Sequence, residues 1–125
     1  MVLKVDHVDI VVRDLDKHVE FYQMLGFQVV ARTSHAGGAV ELRLPGPNQP
    51  IFEFSQASGI QNIGIRHIAF TVDNVPETYE YLKGKGVNME GEPLHVETTG
   101  RVLANFRDPD GWVLQLSEAK RGKSH

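Results

Sequence analysis

Cysteine is absent from this 125-residue chain, which removes disulfide frameworks, thiolate nucleophiles, Cys-ligated zinc and iron–sulfur clusters together. Any metal ligand must therefore come from His, carboxylate, amide or water. Positive charge is not in excess: 13 Lys+Arg stand against 16 Asp+Glu for a net charge of -3, so no basic field favours nucleic acid or anionic lipid. Long apolar runs are missing too. None approaches the roughly 18 residues a membrane span requires, and Met1-Val2-Leu3-Lys4-Val5-Asp6 meets a charge at once. The expected setting is cytoplasmic, with neither nucleic acid nor membrane as partner. What remains, 41% hydrophobic and 23% charged residues, suits a globular chain rather than a disordered or fibrous one. The length suffices for one domain, 1–125, with a single core.

An internal repeat organises the chain. His7-Val8-Asp9-Ile10-Val11-Val12 sits over His67-Ile68-Ala69-Phe70-Thr71-Val72, sixty residues on, followed by Asp14-Leu15 over Asn74-Val75 and Gly26-Phe27 over Gly86-Val87. Further along the register slips by two residues, placing Ile51-Phe52-Glu53-Phe54 over Val113-Leu114-Gln115-Leu116. A loop difference of that size explains the slip.

Each copy reads as βαβββ, module 1 over about 1–56 and module 2 over about 64–118. Val5 to Val12 is β-branched and partly alternating, so that His7 and Asp9 share one face of a strand. Asp14 is an N-cap, Leu15, Val19 and Tyr22 follow at helical spacing, and Gly26 stops the helix. Strands are expected over Phe27–Thr33, Ala39–Leu44 and Ile51–Phe54, with loops at His35-Ala36-Gly37-Gly38 and across the proline-rich 45–50. Ser55 to Gly64 reads as the linker between modules. Module 2 repeats the scheme: a strand over Ile65–Val72, Asn74 as N-cap with Pro76 in the first turn, a helix to about Lys83, and a strand from Val87 onward. Two final strands, Arg101–Phe106 and Trp112–Leu116, are joined by Asp108-Pro109-Asp110-Gly111, which suits a tight turn. Residues 119–125 are a polar, basic tail expected to fray.

The repeat pairs His7 with His67 and Glu53 with Gln115, four polar residues that each interrupt an apolar strand. Singly, a strand His is usually a hydrogen-bonded core or surface residue, and an edge Glu is usually solvated. Their coincidence at equivalent positions argues for metal. Brought together, two imidazoles, one carboxylate and one amide oxygen suit a six-coordinate divalent ion with two positions open, a catalytic rather than a closed structural arrangement.

Asp6-His7-Val8, the helix end Phe21-Tyr22-Gln23-Met24-Leu25-Gly26-Phe27, Arg66-His67-Ile68-Ala69-Phe70-Thr71-Val72 and the run from Phe106 to Leu116 together resemble the vicinal oxygen chelate superfamily. Its members include lactoylglutathione lyase (glyoxalase I), methylmalonyl-CoA epimerase, extradiol dioxygenases, fosfomycin-modifying enzymes and bleomycin-resistance proteins. The resemblance covers nearly the whole chain. It implies an α+β fold in which two repeated βαβββ modules form a curled mixed sheet around a cleft. It places metal ligands at His7, Glu53, His67 and Gln115, the ion being nickel, zinc, manganese, iron or cobalt, and it implies a homodimer acting on a small molecule. One departure stands out: the last-strand position usually carries Glu in the related metalloenzymes and is Gln115 here. Gln ligates through its carbonyl oxygen but brings no charge and cannot serve as a base at neutral pH. Metal affinity should fall, and attraction for an anionic intermediate should rise.

The expected activity is a metal-dependent, glyoxalase-like lyase or isomerase acting on a substrate with vicinal oxygens through an enediolate, with Glu53 as the proton shuttle. Arg43, Arg101 and Arg107 are candidates for clamping a substrate carboxylate or phosphate, although most such arginines are simply solvated. Two alternatives stand beside this. An extradiol-type dioxygenase is weaker, because its carboxylate ligand belongs where Gln115 stands. A metal-free, bleomycin-resistance-like binding protein would need aromatic cleft walls, for which Phe52, Phe54, Phe106 and Trp112 are candidates, though alternation turns Phe52 and Phe54 away from Glu53 and favours a core role for them. His35, His95 and a flap over Glu97-Thr98-Thr99-Gly100 carry less weight.

Overall fold

The computed structural model of the chain describes residues 1–33, 38–59, 62–96 and 101–118. Its element order is β1 (Val2–Val12), α1 (Leu15–Met24), β2 (Gln28–Thr33), β3 (Ala39–Arg43), β4 (Ile51–Gln56), β5 (Gly64–Val72), α2 (Val75–Gly84), β6 (Asn88–Val96), β7 (Arg101–Arg107) and β8 (Val113–Glu118). The fold is α+β, and βαβββ occurs twice, as the repeat predicts. The described residues divide into two compact units, one drawn from 7–66 and the other from 1–6 together with 67–118.

In the first unit the strand order is β2-β3-β4-β1. β1 and β4 run parallel, with His7 opposite Ile51 and Asp9 opposite Glu53, whereas β3 lies antiparallel to both β2 and β4. Even-numbered strand residues meet α1: Val12, Val40, Leu42 and Phe54 form a core with Val19, against which Ile10, Tyr22, Phe27 and Phe52 pack. The rings of Tyr22 and Phe54 lie 4.7 Å apart between centroids, and Phe27 meets Tyr22 edge-on at 5.2 Å.

The second unit repeats the plan. The opening residues of β1 belong to it in the order β1-β5-β8-β7-β6, with β5 and β8 parallel and β7 antiparallel to its two neighbours. Val72, Val102, Ala104, Phe106 and Leu116 form its core with Val75 and Tyr79 of α2.

Helix boundaries follow the local chemistry. Asp14 and Asn74 are N-caps whose side chains accept from the amides of Lys17 and Glu77 at 3.1 and 2.9 Å. Both helices end in the same way. Gly26 and Gly86 adopt φ of +106° and +88°, and the amides of Phe27 and Val87 turn back onto the carbonyls of Tyr22 and Leu82.

Several boundaries differ from the sequence reading, by the most at β1, β4 and β8, the last of which runs on to Glu118. β1 begins at Val2 rather than Val5, and β4 continues through Ser55 and Gln56 into the stretch read as linker. Ser55 is buried opposite Val11, and Gln56 uses its side chain to cap α1, so these polar residues are held in the strand by packing that their composition does not reveal. His35, most of the loop around it, the 97–100 flap and the tail at 119–125 lie outside the described residues.

Candidate functional site

Side chains alternate across a strand, so with the even-numbered residues committed to the helix the odd-numbered ones share the opposite face. In the unit spanning 7–66 that face carries His7 and Asp9 on β1, Glu41 and Arg43 on β3, and Glu53 on β4. Registers bring three carboxylates into one row, since Glu41 and Asp9 both lie directly opposite Glu53 on its two neighbouring strands. Adjacent strands are about 4.8 Å apart, so the backbone sets Glu53 one strand away from each of the other two acids. Asp9 is 1% exposed, while Glu41 and His7 are each 8% exposed. A concentration of negative charge out of bulk water needs compensation. Arg66 supplies part of it, with its Nε 3.6 Å from Asp9 Oδ2.

The second unit presents the matching face without acids in the row. His67 lies on β5, half-buried, and Gln115 on β8 stands opposite Ala69 on one side and Asn105 on the other. The row that reads Glu41, Glu53, Asp9 in module 1 therefore reads Asn105, Gln115, Ala69 in module 2. Gln115 Nε2 donates to Asn105 Oδ1 at 3.2 Å. Further along the same face Arg101 donates to Ser117 Oγ at 2.9 Å and lies 3.9 Å from Asp6 Oδ2, while Thr71 Oγ1 donates to Asp6 Oδ1 at 3.1 Å.

The three candidate arginines thus have different surroundings. Arg101 is tied into this polar network. Arg107 bonds Glu90 and the carbonyl of Gly111, bracing the turn after β7, where Asp108 also accepts from the amides of Asp110 and Trp112. Arg43 ends β3, half-buried on the face that carries Glu41. His95 is exposed on β6. Phe52, Phe54 and Phe106 belong to the helix-side cores, and Trp112 is 60% exposed in its turn, so the structure gives the polar faces no aromatic wall from these residues.

His7 and Glu53 fall in one unit, and His67 and Gln115 in the other. Among the described residues no three His, Asp or Glu side chains form a ready-made metal-holding group. In donor type the four residues fit a divalent ion of intermediate softness, and the Asn105 hydrogen bond leaves the Gln115 carbonyl oxygen as the end turned away from its neighbour. The sequence reading missed Glu41, Arg66 and Asn105. Glu41 has a visible signal, an acid inside the alternating run Ala39-Val40-Glu41-Leu42-Arg43; the other two acquire meaning only through register.

The Glyoxalase/Bleomycin resistance protein/Dioxygenase superfamily model matches residues 4–116, and the chain belongs to that family. Among curated relatives, YwkD of Bacillus subtilis, an uncharacterised protein, is 33% identical over 94% of this chain and 99% of its own length. Lactoylglutathione lyase of Salmonella typhimurium is 27% identical over 91% of each chain. Among solved structures, a methylmalonyl-CoA epimerase in complex with methylmalonyl-CoA and ammonium superposes with a TM-score of 0.77 at 19% identity, covering 100% of both chains. The epimerase of Mycobacterium tuberculosis gives 0.74 at 24% identity, over 95% of this chain and 89% of that one. These structural likenesses carry the fold. No helix among the described residues is long and apolar enough to cross a membrane.

Proposed function

We propose that the protein is a divalent-metal-dependent lyase or isomerase of the glyoxalase type, acting on a small substrate with vicinal oxygens. The observation that carries this reading is the repeat-matched placement of His7 with Glu53 and of His67 with Gln115 on the helix-free faces of the two modules. His7 with Glu53, and His67 with Gln115, would each contribute donors to an ion, nickel, zinc, manganese, iron or cobalt. The ion would supply Lewis acidity toward the substrate's two oxygens, acidifying the adjacent C–H and favouring the enediolate.

The chain's own residues do the rest. Glu53 accepts the carbon-bound proton and returns it to the neighbouring carbon. Glu41, buried directly across from it on β3, is the second carboxylate considered for the same transfer. Asp9, on the other side of Glu53, lies beside Arg66. Arg43, on the face of Glu41, is the arginine best placed to meet an anionic substrate group, since Arg101 and Arg107 already serve internal partners.

This reading includes one folding domain, a homodimer and a cytoplasmic setting. The decisive experiment is elemental analysis of protein purified without chelator or nickel-affinity resin, beside His7→Ala and His67→Ala. Near-stoichiometric metal in the parent, lost in both variants, supports it. A parent that takes up no metal after reconstitution rejects it and returns the metal-free binding protein as the better reading.

A further inference from the structure

We infer that Asn105 is a positioning residue for Gln115, holding its side-chain amide so that Oε1 rather than Nε2 is offered to a divalent cation. The inference rests on the proposed reading of Gln115 as a ligand and adds to it a residue outside the ligand set.

The argument begins with symmetry. A carboxylate ligand has two oxygens and no wrong end, so Glu53 can turn either way and still present a donor atom. A primary amide has one oxygen and one NH2, and the NH2 only donates hydrogen bonds. At Gln115, therefore, something must decide which end faces the ion. The antiparallel pairing of β7 with β8 sets Asn105 directly opposite Gln115, and the core packing of Ala104, Phe106 and Leu116 against α2 fixes both on the other face. There Gln115 Nε2 donates to Asn105 Oδ1 at 3.2 Å. In this bond Asn105 presents its oxygen, which turns Gln115 Nε2 toward β7 and leaves Oε1 as the end pointing away from that neighbour. The register-matched pair in module 1 is Glu41 with Glu53. Where the ligand position has a wrong end its cross-strand neighbour supplies an amide acceptor, and where it has none the neighbour is another acid.

The test is a double-mutant cycle read by binding of Co2+ alone, using titration calorimetry with the visible spectrum as a check on coordination. Asn105→Leu is expected to weaken Co2+ binding by about tenfold to hundredfold, the range usual for loss of a group that orients a ligand. In the Gln115→Glu background the same substitution should change affinity by less than about threefold, because a carboxylate needs no orienting. Asn105→Asp, which keeps an acceptor, should bind at least as tightly as the parent. Should Asn105→Leu not fold, Asn105→Ser takes its place, its hydroxyl being too short to reach Gln115. Equal losses in both backgrounds, or none in the parent, overturn the inference while leaving the metal reading intact. Failure of both the parent and Gln115→Glu to bind Co2+ removes the metal reading, and this inference with it.

Discussion

Gln56 Oε1 accepts a hydrogen bond from the backbone amide of Leu15 at 2.9 Å, and at the matching place in module 2 Glu118 Oε2 accepts from the amide of Val75 at 3.0 Å. In each module the end of the last strand thus satisfies the first free N–H of the helix, a donor with no partner inside the helix itself. Gln56 also donates to the carbonyl of Arg13, which ties the β1–α1 corner to β4. Gln56→Ala should lower stability by about 1 kcal/mol and Glu118→Ala by a similar amount. Gln56→Glu should retain most of the stabilisation, since Glu already does this work in module 2. Urea unfolding midpoints at unchanged m-value check all three; an unaltered midpoint in both alanine variants would show that water replaces these caps at no cost.

The second expectation concerns the buried polar network. Asp6 accepts from Thr71 and faces Arg101, which donates to Ser117, and Asp6, Thr71 and Ser117 are all buried. Removing one member leaves a buried polar group short of a partner, which costs more than a surface bond is worth. Asp6→Ala is expected to destabilise by about 2–3 kcal/mol because it strands a guanidinium, and Thr71→Val by about 1 kcal/mol. In the double variant the loss should be smaller than the sum of the two, as happens for residues sharing one network. Strict additivity in chemical denaturation would show that they act independently.

Glu41 and Glu53 make separable predictions under the proposed reaction. Glu53→Gln removes the nominated shuttle and a ligand charge together, so activity should fall by about 10²–10⁴ with weakened metal binding. Glu41→Gln leaves the ligand set untouched, and its metal content should match the parent. If Glu41 shares the proton work, kcat falls on that scale while metal stays bound; an unchanged kcat assigns the transfer to Glu53 alone. Assays with a panel of 2-oxoaldehyde adducts and 2-substituted acyl thioesters read both variants.

Much of this arrangement is legible because the chain repeats itself. His7 over His67 and Gly26 over Gly86 locate both modules, and helix caps at Asp14 and Asn74 set their helices, because capping and glycine turns are local chemistry. Alternation sends Phe52 and Phe54 to the α1 core, where the structure has them. The acid row is not legible as a unit. Asp9, Glu41 and Glu53 come from three separate segments, and their alignment is a property of strand register that no local pattern encodes. Ser55, Gln56, Ser117 and Glu118 escape notice at the strand ends for a related reason: each is a polar residue held by packing or by a partner elsewhere in the chain.

Metal removal gives the last prediction, and it separates ligand from scaffold. A cation that binds the folded protein and not the unfolded chain stabilises it by mass action, about 2.7 kcal/mol at a free concentration one hundred times Kd. For a chain of this size that should raise the thermal midpoint on the order of 10 °C. Chelation followed by re-addition of the ion should therefore lower and then restore the midpoint. His7→Ala and His67→Ala should each abolish the ion-dependent part while leaving the chelated protein able to unfold cooperatively. Arg66→Met offers the contrast: Asp9 loses one charged neighbour, so the chelated form should be less stable, yet the increment on adding saturating ion should persist or grow because a positive charge near the acid row has gone. An increment that survives in both His7→Ala and His67→Ala and grows in Arg66→Met would place the cation on the acid row instead of on the imidazoles.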